Sequence, residues 1–322
     1  MFTKLILFVK WPLFTFIVFQ TTSLFGVQAN ELILVDNSVI TVTNHTTFAV
    51  YVPYTLIYFT YWGGGIKQEL KSEPQAQSRI LGGTAAVAEQ FTFYIYVEAT
   101  KYNGIVKCGG ALLSEDWAIT SATCVAAAAT IQVYAGIIAP PTATDTMVYA
   151  RAIIHPQFRF NYKVHNLALL KFRASIPLGI SIAPIRILAY DLSKVRTDLT
   201  LRTMGLGTSD DSTDVGTELQ YVDLPRIRRQ FCNIQTSNSF IDYPLNTECL
   251  GTEGGSKGFC FVDIGGPVVY VTPGTQPNVE DFKLVGINSE FVGCPSNQPM
   301  AFTRLAPYVS WIRVQTKNTF FS

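Results

Sequence analysis

Short apolar runs separated by turn residues fill the chain from Ile80 to its C-terminus. Gly, Pro, Asn and Asp interrupt the runs, and no sustained 3.6-residue periodicity occurs before the final stretch YVSWIRVQTK. A buried strand needs only a short apolar segment between turns, whereas an amphipathic helix needs the longer period. The pattern therefore predicts an all-β sandwich or barrel with one C-terminal helix. Typical runs are FTFYIYVEA, TIQVYAGI, LALLKF and GPVVYVTP.

The charge composition restricts the partners that the chain can bind. Lys and Arg total 24 and Asp and Glu total 23, which gives a formal net charge of +1. This balance excludes a polybasic nucleic-acid binder, so we predict no nucleic-acid partner. Three histidines are a small stock for acid–base or metal chemistry, and no His, Cys and carboxylate residues cluster at metal-ligand spacing. We therefore predict no metal and no cofactor.

Residues 1–29 have the layout of a secretory signal peptide. A Lys near the N-terminus precedes a Leu-, Ile-, Phe- and Val-rich run, and Val27-Gln28-Ala29 supplies a small-x-small cleavage pattern. The alternative is a membrane anchor, but Lys10 and Pro12 interrupt a run already shorter than the ~20 residues of a spanning helix. The six cysteines form an even number, which suits three disulfides in an oxidising compartment. We predict a secreted, extracellular protein with no membrane span in its mature form.

Residues 30–79 form a second N-terminal region without cysteine. Its β-branched and aromatic residues indicate strands or an extended segment. Asn44 begins the sequon Asn44-His45-Thr46, which predicts glycosylation if the region is secreted. Gly63-Gly64-Gly65 and the polar residues after it are typical of a flexible linker. The region is interpreted as a propeptide, an unstructured extension or the product of a start site placed too far upstream, and these alternatives stay open.

Two groups of polar residues have ordinary structural interpretations. Arg226, Arg228 and Arg229 predict an exposed strand edge, with a contact patch as the alternative. His155 and His165 are interpreted as solvated or hydrogen-bonded side chains, and His165, beside Asn166, is expected to point to the opposite face of a strand.

Several longer motifs occur in one order along residues 80–322. They are Arg79-Ile80-Leu81-Gly82-Gly83, Cys108-Gly109-Gly110-Ala111-Leu112-Leu113, Trp117-Ala118-Ile119-Thr120-Ser121-Ala122-Thr123-Cys124, Asn166-Leu167-Ala168-Leu169-Leu170, Cys260-Phe261-Val262-Asp263-Ile264-Gly265-Gly266-Pro267, Leu284-Val285-Gly286-Ile287-Asn288-Ser289 and Tyr308-Val309-Ser310-Trp311-Ile312. Together they resemble the trypsin/chymotrypsin family of serine proteases, in the form of the non-catalytic homologues known from arthropods. The resemblance implies a peptidase-type domain over 80–322, built from two six-stranded antiparallel β-barrels with a cleft between them.

The same resemblance implies how the cysteines pair, which the sequence alone leaves open. The implied bridges are Cys108–Cys124, Cys232–Cys249 and Cys260–Cys294. All of them lie within residues 80–322, so no covalent bond would hold the upstream segment after cleavage.

The resemblance also identifies three positions at which the family carries its catalytic triad. Thr123 stands where the family has its histidine base, Asn166 where it has the orienting aspartate, and Ile264 where it has the nucleophilic serine. A hydroxyl, an amide and an alkyl group cannot perform those roles near neutral pH. Val262 stands in place of the glycine whose N–H serves the oxyanion hole. We therefore expect no catalytic residues.

The substrate pocket of the family is implied at Gly258, Ser289, Glu290 and Phe291. Glu290 and Phe291 stand where the family has a tryptophan and a wall-lining glycine. A phenyl ring at that wall is expected to fill the primary specificity pocket.

One device of the family is retained in the sequence. Cleavage between Arg79 and Ile80 would create a new amino terminus, and Asp263 is the residue that pairs with it in active relatives. We predict a zymogen-like switch that no longer leads to hydrolysis. The alternative is an inherited Asp263 whose carboxylate is satisfied by backbone N–H groups.

These observations predict a secreted serine protease homologue that works by binding. Its expected partner is a protein, namely an active protease, its substrate or an inhibitor, and its expected role is that of a cofactor, decoy or regulator of proteolysis. The principal alternative is an active trypsin-like serine endopeptidase. A third possibility is a decaying gene product that folds poorly.

Overall fold

The computed structural model divides the chain into two compact units, Met1–Ala76 and Gln77–Ser322. In the first unit it describes the backbone of seven strands. In the second it describes residues 83–322 except for 192–198, 209–213, 228–231, 233–245, 252–257, 273–280, 291–298 and 318–319. No helix in these described parts is long and apolar enough to cross a membrane.

The first unit contains two antiparallel sheets. One is a hairpin and the other is a five-stranded meander in which each strand pairs with its sequence neighbour. The meander agrees with the strand interpretation of residues 31–62, but the linker prediction is wrong for Gly65–Leu70, which forms a strand paired with Thr55–Trp62. The signal-peptide and propeptide boundaries and the glycosylation of Asn44 stay predictions. The strands are β1 (Lys4–Trp11), β2 (Phe14–Thr21), β3 (Leu32–Val35), β4 (Ser38–Asn44), β5 (Thr47–Val52), β6 (Thr55–Trp62) and β7 (Gly65–Leu70).

The first barrel of the second unit is a closed antiparallel ring of six strands in the order β10-β11-β14-β13-β12-β9. Its strands alternate inward apolar and outward polar residues, as β12 shows with Ile131 and Val133 buried and Thr130 exposed. The inward side chains form one apolar core. The strands are β9 (Tyr94–Lys101), β10 (Gly104–Ser114), β11 (Trp117–Thr120), β12 (Thr130–Ala135), β13 (Thr146–Ile154) and β14 (Ala168–Phe172).

The second barrel is also a closed ring of six antiparallel strands. The path β20-β19-β16-β17-β18-β21 closes because β20 pairs with β21 as well as with β19. Two short strands extend it, β8 (Thr84–Ala85) on β17 and β15 (Arg186–Ile187) in parallel on β20. The ring consists of β16 (Thr200–Gly205), β17 (Gln220–Ile227), β18 (Thr247–Leu250), β19 (Pro267–Val271), β20 (Phe282–Glu290) and β21 (Met300–Arg304).

A separate apolar cluster joins the two barrels. It combines Phe93 and Leu167, which directly precede β9 and β14 of the first barrel, with Met204 and Leu284 of the second, and all four are fully buried. The described α-helices include the single turn α1 (Ala122–Val125) and the terminal helix α2 (Val309–Thr316). The described 3₁₀ turns include Phe160–Tyr162, Phe261–Asp263 and Ala306–Tyr308. The all-β, two-barrel architecture with a C-terminal helix confirms the fold expected from the sequence.

Candidate functional site

A chain of neutral hydrogen bonds crosses from the first barrel to the second. Asn166, fully buried before β14, accepts hydrogen bonds at Oδ1 from the backbone N–H and the hydroxyl of Thr123, each at 2.8 Å. Its Nδ2 donates to Oγ of Ser289 on β20 at 2.9 Å. Because the Thr123 backbone N–H can only donate, it fixes which end of the amide faces which barrel.

The chemistry available to this chain of groups is limited by their identity. An amide and two aliphatic hydroxyls neither take up nor release a proton near neutral pH. The arrangement therefore holds α1 and the two barrels in position, but it contains no general base.

Ile264 lies against the same helix. Its carbonyl oxygen accepts the Gly109 N–H at 2.9 Å and lies 3.6 Å from Sγ of Cys124, the residue after Thr123. Its half-buried side chain packs against the cores of both barrels. The structure thus brings Thr123, Asn166 and Ile264 to one place, and the third side chain offers no heteroatom for nucleophilic attack.

The residue after Ile264 explains how the barrels approach so closely there. Gly265 has a φ of 82°, and a Cβ at this position would collide with Oγ1 of Thr120 and the carbonyl oxygen of Gly109. Only glycine combines this left-handed backbone with the absence of a side chain.

Val262 and Asp263 lie in a 3₁₀ turn, Phe261–Asp263, directly before Ile264. Val262 is buried in the apolar cluster between the barrels. Asp263 is fully buried and accepts hydrogen bonds from the backbone N–H groups of Gly207 at 2.7 Å and Cys260 at 2.9 Å. Burial raises the pKa of Asp263 to about 7, and the two hydrogen bonds oppose that shift.

No cationic side chain among the described residues pairs with Asp263. The backbone partners are those that the alternative interpretation of Asp263 expects. Arg79 and Ile80 lie outside the described residues, so pairing with a new amino terminus stays a prediction.

The implied substrate pocket is described at two of its four positions. Ser289 is buried on β20, and Gly258 lies against Met300, whose Sδ would collide with a Cβ at position 258. The Glu290 side chain and Phe291 lie outside the described residues, so the filling of the pocket stays a prediction. Sequence reasoning missed Met300, because nothing about a methionine in an apolar strand indicates that its side chain packs against Gly258.

Sequence reasoning also missed Lys101, at the end of β9. Its Nζ donates a hydrogen bond to the carbonyl oxygen of Thr123 at 2.8 Å. Partial burial lowers the pKa of Lys101, and the positive charge of Lys163 lowers it further. The sequence around a lysine in a short hairpin does not show whether its ammonium group binds a backbone carbonyl or only water.

The described disulfides include two that the family resemblance implies. Cys108–Cys124 ties α1 to β10 with a Cα–Cα distance of 6.2 Å, and Cys232–Cys249 has a distance of 6.1 Å. Cys260 is also disulfide-bonded, while Cys294, its implied partner, lies outside the described residues. The first bridge fixes the helix that carries Thr123.

The expectation for Arg226 is wrong. Arg226 is buried and forms an ion pair with Glu248 of β18 at 3.0 Å, with Arg304 at 3.9 Å from the same carboxylate. The carboxylate on the neighbouring strand allows the arginine to turn inward, and the sequence around position 226 does not show that partner. Arg228 and Arg229 lie outside the described residues.

The histidines are hydrogen-bonded and stacked. His155 and His165 have ring centroids 4.8 Å apart, and Nδ1 of His165 lies 2.9 Å from the Tyr308 hydroxyl. The sequence placed His165 on a strand, and that expectation is wrong. Its φ of 52° puts it in a left-handed turn before β14. Within the described residues no group of three or more metal-ligating side chains occurs.

The two six-stranded barrels and the C-terminal helix have the fold of the trypsin-like serine proteases. The family model described as Trypsin matches residues 80–312, so the chain belongs to the trypsin family. The HL collagenase structure superposes with a TM-score of 0.63 at 27% sequence identity, covering 74% of this chain and 99% of that one.

Curated relatives from arthropods show the same level of similarity. Brachyurin of Leptuca pugilator is 27% identical, with 74% of this chain and 100% of that protein covered. Trypsin 5G1 of Aedes aegypti is 25% identical, with 74% and 85% covered. Serine proteinase stubble of Drosophila melanogaster is 26% identical, with 73% of this chain covered. The match spans only 31% of that longer protein.

Proposed function

We propose that this protein is a secreted, non-catalytic member of the trypsin family that acts by binding another protein. The observation that carries the proposal is the neutral hydrogen-bonded chain of Thr123, Asn166 and Ser289 beside Ile264. Family resemblance assigns the triad to three of the positions gathered here, namely Thr123, Asn166 and Ile264.

The size of the expected loss supports a binding role. Removal of a complete triad costs about a factor of 10⁶ in turnover, and what is left depends on the oxyanion hole and substrate binding. Val262, which the resemblance places at the oxyanion position, is a buried β-branched residue in the 3₁₀ turn. We therefore expect that neither the oxyanion hole nor substrate binding supports useful hydrolysis.

Secretion and a protein partner complete the proposal. The signal-peptide pattern of residues 1–29 and the disulfides at Cys108–Cys124 and Cys232–Cys249 support an oxidising destination. The partner is an active protease, its substrate or an inhibitor, and the role is that of a cofactor, decoy or regulator. The relatives include a serine proteinase, a trypsin and a collagenase, names of enzymes that act on proteins, and this supports that class of partner.

The competing function is that of an active trypsin-like endopeptidase. The names of the relatives, among them a trypsin and a collagenase, favour it. The motif Arg79-Ile80-Leu81-Gly82-Gly83, at which such an enzyme would be activated, favours it as well.

A serine-directed phosphonate separates the two functions. Full-length protein, cleaved at Arg79 and freed of the cleaving protease, is incubated with a biotinylated diphenyl phosphonate beside an equimolar active trypsin. We expect labelling of the trypsin alone and no hydrolysis of a peptide substrate mixture above the buffer rate. Stoichiometric phosphonylation of this chain, mapped to one of its serines by mass spectrometry, would overturn the proposal.

A further inference from the structure

Two loops of the first barrel expose an unusual amount of apolar surface. They are the turn between β9 and β10 and the 3₁₀ turn Phe160–Tyr162. The exposed fractions are 106% for Tyr102, 70% for Tyr162, 57% for Ile105 and 54% for Phe160. Single exposed apolar residues are ordinary, whereas a group of them marks an interaction surface.

Two lysines lie within the same group. Lys101 precedes Tyr102, and Lys163 follows Tyr162 with its Nζ 4.1 Å from the centroid of the Phe160 ring. Nζ of Lys101 donates a hydrogen bond to the Thr123 carbonyl oxygen, and Thr123 is hydrogen-bonded to Asn166, three residues after Lys163, so the two loops adjoin the same hydrogen-bonded groups. The positive charge of Lys163, which lowers the pKa of Lys101, agrees with this placement. We name Lys101, Tyr102, Ile105, Phe160, Tyr162 and Lys163 the loop patch.

The positive charge of the loop patch is not neutralised by the described residues. Neither Lys101 nor Lys163 forms an ion pair with a described carboxylate. The groups that Lys101 reaches by hydrogen bonding are also uncharged. Its Nζ donates to the Thr123 carbonyl oxygen, and the Thr123 hydroxyl donates to the Asn166 amide oxygen. Two neighbouring cations repel each other, and an anionic partner placed between them removes that cost.

The apolar residues decide which kind of anion fits. A polyanionic chain such as a sulfated polysaccharide needs a row of cations, and the loop patch has two lysines among four apolar side chains. A peptide segment supplies carboxylates together with apolar side chains, which matches both features of the patch.

We propose that the loop patch binds an acidic segment of the partner protein, with carboxylates at Lys101 and Lys163 and apolar side chains against Tyr102, Ile105 and Tyr162. This inference rests on the proposed binding function and places the partner beside Thr123. It specifies the partner chemically as a protein with an exposed stretch that combines Asp or Glu with apolar residues.

A peptide library tests the inference without a known partner. A phage-displayed library of random dodecapeptides is selected on the full-length protein, and the enriched peptides are synthesised for fluorescence polarisation. We expect enrichment of Asp and Glu next to aromatic or aliphatic residues, and affinity that falls as the salt concentration rises. The variant K101E/K163E should bind these peptides about tenfold more weakly or worse, because attraction becomes repulsion at two sites.

The matched control reverses two other exposed cations of the same barrel. Arg151 on β13 and Arg173 directly after β14 are both exposed, and R151E/R173E makes the same change in net charge. We expect it to bind the peptides as the unmodified protein does. Thermal melting of all three proteins verifies that the variants fold.

Several outcomes would overturn the inference. They are enriched peptides without acidic bias, equal binding by K101E/K163E, an equal loss in R151E/R173E, or tighter binding of a heparin dodecasaccharide than of any selected peptide. None of them involves labelling by the phosphonate, so the loop patch can fail while the non-catalytic binding function stands. Phosphonylation would instead remove the function on which the inference rests.

Discussion

At the scale of the residue, Asn166 shows how a buried polar group is made stable without charge. Its carbonyl oxygen accepts two hydrogen bonds from Thr123, and its amide nitrogen donates to Ser289. A buried amide that keeps its partners costs little, whereas without the amide the half-buried Thr123 and the buried Ser289 lose their hydrogen bonds to it.

Replacing Asn166 by alanine should therefore destabilise the fold. We expect Asn166→Ala to lower the free energy of unfolding by about 2–4 kcal/mol, because Thr123 and the buried Ser289 lose their hydrogen bonds and a small cavity is left. Guanidinium unfolding followed by tryptophan fluorescence measures the change. The exposed Asn161 provides the control, since Asn161→Ala should change the free energy by less than about 0.5 kcal/mol. Equal stability of the two variants would contradict the role given to Asn166.

Sequence reasoning selected Thr123, Asn166 and Ile264 because each lies within a motif of the family, and the structure places the three close together. It did not reach Lys101 or Met300, because each acts through the reach of a side chain toward residues distant in sequence. Arg226 was assigned to the surface for the same reason, since the partner that allows its burial, Glu248, lies on another strand.

At the scale of the element, the histidine pair connects the loops around β14 to the C-terminal helix. His155 makes edge contacts with Tyr308 and with Trp311 of α2, and the His165 ring meets the Tyr308 hydroxyl. Asn246 donates a second hydrogen bond to that hydroxyl at 3.1 Å. Burial lowers the pKa of both histidines, with His165 acting further on His155 and Arg159 on His165.

Acidification should loosen this contact. The folded-state pKa of each histidine is below its value of about 6.5 in an unfolded chain, so the unfolded chain binds more protons below that pH. Stability that is full above pH ~6.5 is therefore lost as the pH falls toward the lower folded-state pKa. We expect the melting temperature to drop more between pH 7.5 and 5.5 in the unmodified protein than in the variant H155N/H165N.

Comparing the unmodified protein with H155N/H165N separates the pH dependence due to the histidines from that due to Asp263. Because the pKa of Asp263 is raised to about 7, its own contribution has the opposite sign and weakens the fold as the pH rises from about 4 to 7. That contribution is common to both proteins and cancels in their difference. Parallel pH profiles for the two proteins would show that the pair does not titrate on unfolding.

At the scale of the whole molecule, every cysteine lies in the second of the two compact units. The first unit ends at Ala76, and the first cysteine in the sequence is Cys108. The predicted cleavage site after Arg79 lies between these two points. No disulfide can therefore join the two products of that cleavage.

Cleavage after Arg79 should separate the products completely under denaturing conditions. Trypsin treatment of the full chain is expected to give a fragment that starts at Ile80 and, on a denaturing gel without reductant, migrates apart from the upstream piece. N-terminal sequencing identifies the cut, and Arg79→Gln serves as the uncut control. N-terminal sequencing of naturally secreted protein should also detect a species that begins at Ile80, and finding only species that begin at Asn30 would contradict the switch.

The sequence predicted the fold of the second unit in more detail than that of the first unit. Strand and turn patterning from Ile80 onward, together with the family motifs, gave two six-stranded barrels and the terminal helix. The edge strands β8 and β15 were not foreseen, because segments this short carry no alternation that distinguishes them from loops. The strands between residues 32 and 62 agree with the β-branched and aromatic content of that region, but composition did not predict their order. The strand β7 was missed, because its glycine and polar residues favour a linker.

The crossing at Asn166 also has an evolutionary consequence. A change to aspartate alone would bury a carboxylate against two hydroxyls and a backbone N–H, with no imidazole to share its charge. Histidine alone at position 123 would face an uncharged amide, and serine alone at position 264 would give up packing against two cores without gaining a base. None of these single changes supplies more than one group of a Ser-His-Asp arrangement, so such an arrangement at these positions would need all three changes together.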